Sequence, residues 1–333
     1  MQRREVIALL ASVSLAAALA KPLRGAAQQA GHIPRVGVLT PAETDATPVF
    51  DGFRQGLRDL GYVEGKSIIL EFRFAKGNVD ALSALAAELV RIPVDLISVD
   101  SSAALRAAFN ATRTIPIVMG AASDPVALGF AASIRRPGGN VTGMTIRADA
   151  LSSKRMQLIK QAFPAIASVA VLMNPKNTSA PLSLNAAKEA AGLLGLHIVE
   201  LAATTPSELH ALRATDFAGA DALVVLPDAM FWNHRATVVA LAQAANRPAI
   251  YPEREYADDG GLIAYGPNIP DSFRRAAGYV DRILRGANPG ELPIDEPAKF
   301  DFVINVRSAR SLGPAISADF LSAANEVIEQ LRI

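Results

Sequence analysis

The sequence predicts an α/β protein of two doubly wound, parallel-sheet lobes joined by a hinge, and three observations carry that prediction. The first is residues 94–130, where an apolar run at 96–99 ends in Asp100-Ser101-Ser102, a small-residue helix follows over about 103–110, and a second apolar run at 115–119 ends in Gly120. Continuous apolar strands joined through a helix are buried on both faces, which is the mark of a parallel sheet. The second is a later copy of this plan in residues 220–251, with Asp221 standing for Asp95 and Pro248 for Pro116. The segments opening the two halves, 36–40 and 169–173, also match, and the offsets of the three pairs are 133, 126 and 132 residues. Near-constant spacing at this length indicates a duplicated lobe, not an array of short repeats. The third is the length of 333 residues, too long for one ordinary core and suited to two α/β domains.

In chain order, 34–40 reads as the first strand, with a loop at 41–45. Phe50, Phe53, Leu57 and Leu60 then recur at helical spacing up to Gly61. Residues 68–74 alternate as a strand with one wetter face, and 79–90 form the helix leading into the central unit. After Pro125 a short helix is expected to end near Arg135-Arg136, followed by a tight turn at 137–140 and a strand at 141–145. The second half brings a helix at 151–163, a strand at 168–173, a helix at 181–194 and a strand at 196–202. After the second copy come a returning strand at 260–266, a helix at 271–285 and a last strand at 300–306 with its helix. The expected division is a signal peptide over 1–27, an N-terminal lobe of 33–145 plus about 267–290, and a C-terminal lobe of 146–266 plus about 291–333.

Composition narrows the function. The chain has no cysteine, which excludes disulfides, thiolate metal sites, a cysteine nucleophile and lipid modification at an N-terminal Cys. Its four histidines, at 32, 197, 210 and 234, have no metal-like spacing. Arg3-Arg4, the apolar stretch 6–20 and Gly25-Ala26-Ala27 form an export leader with cleavage expected after Ala27. The apolar stretch is shorter than the roughly 20 residues that span a bilayer. Removing the leader leaves a net charge near −2, which gives no electrostatic reason to bind nucleic acid or an acidic membrane. No phosphate loop, dinucleotide fingerprint, zinc helix or lipase-type elbow is present, so neither a cofactor nor a metal is expected.

An ordered set of motifs resembles a known family. The Arg-Arg leader, Asp95-Leu96-Ile97 with Ser101-Ser102, Ile115-Pro116-Ile117-Val118, Asp124-Pro125-Val126, Arg136-Pro137-Gly138-Gly139-Asn140-Val141-Thr142-Gly143, and Ile304-Asn305-Val306 with Ala309 and Leu312-Gly313 look like the tryptophan/tyrosine-type substrate-binding proteins of ABC transporters. That resemblance implies a type I periplasmic-binding-protein fold, one small ligand (an amino acid or an aromatic compound) in a hinged cleft, a periplasmic location, and delivery to ABC permease subunits by a monomer.

The strand ends supply the candidate ligand residues, because open α/β sheets place ligands beyond the carboxyl ends of their strands. Thr40, Ser101, Ser102 and Asp124 hold such positions in the first lobe, and Asn174, Asp228 and Tyr251 in the second. Ser101 and Ser102 could hold a carboxylate with the free N–H groups of the helix they begin, or be ordinary caps. Asp124 and Asp228 are candidates for a ligand ammonium, and Asp124 could equally cap a helix at Val126 with Pro125 at its first position. Phe231 and Trp232 are secondary candidates, and the cluster Glu253, Arg254, Glu255, Asp258 and Asp259 is expected to be a solvated surface. The competing readings are an exported hydrolase or isomerase using Ser101 or Asp124, and a ligand-sensing partner of a signalling receptor.

Overall fold

Two parallel sheets, each alternating with helices, account for most of the computed structural model, which describes residues 32–217, 219–309 and 316–329. The expected leader, its cleavage point and the Leu312-Gly313 pair lie outside the described residues. The first lobe contains β1 (Arg35–Thr40), α1 (Pro48–Asp59), β2 (Ile69–Phe74), α2 (Leu82–Arg91), β3 (Leu96–Val99), α3 (Ser102–Ala111), β4 (Ile117–Ala122) and β5 (Val141–Thr145). The chain then enters the second lobe with α4 (Ala148–Ala162), β6 (Ser168–Met173), α5 (Ala180–Leu194), β7 (His197–Ala202), α6 (Pro206–Ala211) and β8 (Ala222–Val225). It continues through α7 (Ala229–Asn233), α8 (Arg235–Ala244), β9 (Ala249–Tyr251), α9 (Arg254–Asp258) and β10 (Ile263–Pro267). Next come α10 (Ile269–Leu284), β11 (Phe300–Asn305), α11 (Val306–Ala309), α12 (Ala318–Ser322) and β12 (Glu326–Ile328).

The strand orders are β2-β1-β3-β4-β5 and β12-β11-β10-β9-β8-β6-β7, so the second sheet repeats the first and adds two strands at its edge. The duplication reaches single atoms. Asp95 accepts from the Arg35 N–H at 2.7 Å, and Asp221 accepts from the Ala167 and Ser168 N–H groups at 2.8 and 2.9 Å. The carbonyls of Pro116 and Pro248 each accept from the strand alongside, from Ile97 and Leu223, at 2.9 Å. In each lobe an aspartate therefore ties down the start of the first strand, and a proline, which has no N–H to donate, opens the fourth.

Each sheet is buried on both faces. In the first lobe α2 and α3 cover one face, while α1 and α10 cover the other with Phe50, Phe53 and Phe273. In the second, α4 and α5 supply Met156, Ile159 and Ala187 on one side, and α7 and α8 supply Phe231 and Val238 on the other. Helices α4 and α10 thus each pack on the lobe opposite to the strand that precedes them. The close approach of α1 to α10 needs Gly52 and Gly56, since a Cβ there would stand 2.4 and 2.2 Å from the carbonyl oxygens of Pro270 and Arg274.

The chain passes between the sheets at β5 to α4, at β10 to α10, and between Ile294, buried with the first sheet, and β11. Ion pairs brace these passages, Arg147 to Glu296 at 3.1 Å and Lys299 to Asp271 at 2.7 Å. Two features differ from expectation. The short helix after Pro125 is a run of turns, with the Phe130 and Ala131 N–H groups both returning to the Pro125 carbonyl. β11 pairs antiparallel with β10, because α10, the helix between them, packs on the first lobe and no helix crosses over the second sheet from one strand to the other.

Candidate functional site

The carboxyl ends of β1, β3 and β4 face those of β8 and β9 across a cavity of about 880 Å³, part of it open to solvent. Its apolar wall comes from Val49 and Phe50 of α1, Trp232 of α7, and Ile146 and Ile269 at two of the three hinge passages. Its polar wall contains Asp100, Ser101 and Ser102 from the first lobe and Asn177, Asp228, Glu253 and Glu255 from the second. Among the described residues no lysine or arginine lines it. The Asn233 amide, also in the wall, donates to the Pro41 carbonyl at 3.2 Å and so ties one lobe to the other.

Chain geometry explains each position. Val99 ends β3, and Ser101 has the extended backbone of an N-cap, its Oγ accepting from the Ala104 N–H at 3.2 Å. Ser102 begins α3, and its Oγ accepts from the Ser123 N–H at 3.0 Å. The Ser102 hydroxyl hydrogen remains available to donate, while that of Ser101 lies toward Asp100. With Ser101 acting as the cap, the preceding Asp100 is left free to project elsewhere. The Thr40 hydroxyl donates to Asp100 Oδ2, while Oδ1 is buried without a hydrogen-bond partner. Burial pushes the Asp100 carboxyl up to about 7, against the opposing pull of Thr40.

Asp228 is committed differently. As the N-cap of α7 it accepts from the Met230 and Phe231 N–H groups through Oδ1, and from the Asn174 and Asn177 side chains through Oδ2. Four donors fill the acceptor capacity of a carboxylate. Burial raises its pKa, and the hydrogen bonds oppose that rise.

Glu253 follows β9 by two residues and does not cap α9. Its Oε2 is buried without a hydrogen-bond partner, and burial pushes the carboxyl up to about 8. Arg155 draws it back toward the charged form, while Glu255 and Asp228 repel that form. Arg155 is wholly enclosed, bonds the Tyr265 carbonyl through Nε at 2.8 Å, and is pushed down to about 10 by burial. Burial also raises Glu255.

The seven residues expected at the cleft therefore divide. Ser101, Ser102 and Asp228 line the cavity. Asn174 lines a second cavity of about 970 Å³ that shares Ser101, Ser102, Asn177 and Asp228 as its wall and opens beside Lys76 and Lys176. Thr40, Asp124 and Tyr251 line neither. Thr40 is buried and holds Asp100. Asp124 Oδ1 is taken by the Val126 and Ala127 N–H groups, so it caps a turn. Tyr251 points into the second-lobe core, stacked on Tyr256 at 4.9 Å. Of the secondary candidates, Trp232 lines the cavity and Phe231 is core.

Glu253 and Glu255, expected in solvent, belong to the cavity wall because α9 folds inward and buries Tyr256 and Ala257. The strand-end rule that selected Tyr251 would have found Glu253 two residues further on. Asp100, adjacent to two selected serines, was accessible to the same rule. Among the described residues no cluster of His, Asp and Glu could hold a metal ion.

Comparison with known proteins agrees with this architecture. A family profile described as ABC transporter substrate binding protein matches residues 35–328. A tyrosine-binding protein of Clostridioides difficile strain R20291 is 28% identical over 270 residues, spanning 80% of this chain and 77% of that protein. A Streptococcus pneumoniae domain crystallised in complex with L-Trp superposes with a TM-score of 0.83 at 23% identity, covering 89% of this chain and 100% of the domain. The ligand-free, open form of a substrate-binding protein with adhesive properties from Clostridium difficile gives 0.65 at 25% identity, covering 90% and 100%.

Proposed function

We propose that this chain, which belongs to the family of ABC transporter substrate-binding proteins, captures a free amino acid with an aromatic or other large apolar side chain. Family membership makes it an exported, non-catalytic protein of the type I periplasmic-binding fold that takes up a small ligand and works with an ABC permease. The observation that carries the ligand class is the chemistry of the cavity wall. Asp100 and Glu253 bring uncommitted carboxylate oxygens from opposite lobes, suited to an ammonium. The start of α3 offers the Ser102 hydroxyl and the first-turn N–H groups of a helix, suited to a carboxylate. Trp232, Phe50, Val49, Ile146 and Ile269 offer an apolar face for a side chain. Asp228 organises the wall, since its oxygens are already taken. The names of two relatives, one tyrosine-binding and one crystallised with L-Trp, point the same way.

Contacts from both lobes favour the closed state, so binding is a hinge-closure equilibrium. Thermal-shift screening of the leaderless protein tests the ligand class. A ligand at about 100 times its Kd adds about 2.7 kcal/mol of stability. Aromatic and large aliphatic L-amino acids should raise the melting temperature. Stabilisation by sugars, nucleosides or amine-free aromatic acids instead would refute the reading.

The leader places the mature protein in the periplasm, cut after Ala27. Intact-mass measurement of periplasmic protein should give a chain beginning at Gln28.

A further inference from the structure

We propose that Asp100 and Glu253 form a charge gate: ionised, they hold the empty cleft open, and it shuts when a cation, either the ligand's ammonium or a proton, satisfies them. This deepens the amino-acid reading and rests on it for the ammonium. The two residues come from opposite lobes, after β3 and β9, and line one cavity whose wall, among the described residues, holds no lysine or arginine. Each has one oxygen buried without a partner, Asp100 Oδ1 and Glu253 Oε2. Closing the lobes around nothing therefore takes two carboxylates out of water with an oxygen of each unpaired, which is costly in a low-dielectric interior. Asp228, in the same wall, pays no such cost, because four donors satisfy it.

The surroundings define the balance of charge. Thr40 donates to Asp100, and the neighbouring Ser101 hydroxyl also favours its ionised form. Glu253 is acted on by Arg155 from α4, by Asp228 before α7 and by Glu255 on its own helix; the hydroxyl of Tyr256, also without a partner, is nearby. Arg235 of α8 also favours the charged form of Glu255 but is itself paired with Asp259 at 2.9 Å, so two arginines stand against Glu253, Glu255, Asp228 and Asp259, negative charge remains in excess, and the closed cleft holds protons at pH values where an open carboxylate would have lost them. The acids at about 7 and about 8 agree with this. The direction follows from linkage. The closed state binds protons more tightly than the open one, so lowering the pH closes the empty protein. An ammonium replaces those protons, so ligand binding releases them where the empty protein is shut and protonated, near pH 6, and affinity rises from there to about pH 8, above which the ligand begins to lose its own ammonium proton.

Absence of cysteine makes the test direct. Spin labels at Val63→Cys in the first lobe and Leu193→Cys in the second, 48% and 90% exposed, report the distance between lobes by pulsed EPR. Without any ligand, the distribution should move from longer distances at pH 9 to shorter ones at pH 6. The Asp100→Asn/Glu253→Gln protein should already show the shorter distances at pH 9. Distances unchanged by pH and by the double substitution would overturn the gate, and if the variant fails to fold, the pH comparison on the labelled parent decides alone. Calorimetry with L-phenylalanine at pH 6, where the empty protein is shut and protonated, in two buffers of different ionisation enthalpy, then tests the ammonium. Binding with proton release supports the gate, and binding without it overturns it. A pH-driven closure without L-phenylalanine binding would leave the proton half of the gate standing and count against the amino-acid reading.

Discussion

The two lobes share a scaffold and differ at the point where they meet the cleft. Asp95 and Asp221 tie down equivalent strands, and Pro116 and Pro248 accept equivalent hydrogen bonds. Beyond β3 the cap is Ser101, and the adjacent Asp100 keeps an unpaired oxygen. Beyond β8 the cap is an aspartate, and Asp228 is fully occupied in holding α7, Asn174 and Asn177. The second lobe carries its uncommitted carboxylate one strand later, at Glu253. Among the described residues, a duplicated frame thus presents a buried carboxylate oxygen without a hydrogen-bond partner from each lobe, at different strand ends. Whether a carboxylate serves the scaffold or the ligand depends on how many donors its neighbours supply.

Substitutions can break or sharpen this contrast. The largest effect should come from Arg155→Ala, which empties a wholly buried site and loses the bond to Tyr265, at about 3–5 kcal/mol of stability by denaturant unfolding. Asp228→Ala strips two helix N–H groups and two side-chain amides of their acceptor and should cost about 2–3 kcal/mol. Asp100→Asn should cost little stability, because an amide oxygen can still accept from Thr40 and no helix N–H loses its acceptor; a loss matching that of Asp228→Ala would erase the distinction between the two aspartates. Ser101→Ala removes only a cap and should cost about 1 kcal/mol. Asn233→Ala loses the bond to Pro41 between lobes and should leave stability nearly unchanged while speeding ligand release several-fold, measured by stopped flow, for a bond worth about 1 kcal/mol.

The frame was legible in the sequence because duplication and buried parallel strands write themselves into apolar runs. Val36 and Val169, or Asp95 and Asp221, pair off by spacing before any coordinates are known. The antiparallel β11 was not legible, since its apolar residues suit either direction and the path through Ile294 decides. Residues 124–131 open with the cap aspartate and first-position proline of a helix, yet the Phe130 and Ala131 N–H groups turn back on Pro125. At the site, local chemistry misled in both directions. Tyr251 ends a strand as expected but rotates into the core, where Tyr256 stacks on it. Glu253 and Glu255 sit in the most charged stretch of the second lobe, which reads as surface, and their burial comes from the packing of α9 against β10 and β11, a tertiary fact that composition does not carry.

A crystal structure of the protein with the amino acid that stabilises it most would bear most directly on how the cleft works. The ligand's ammonium should lie within hydrogen-bond distance of Asp100 Oδ1 and Glu253 Oε2, with its carboxylate at the start of α3 and its side chain against Trp232 and Phe50. An ammonium bound to neither carboxylate, or a ligand held in the second cavity beside Lys76 and Lys176, would contradict the division of labour between the free and the committed acids.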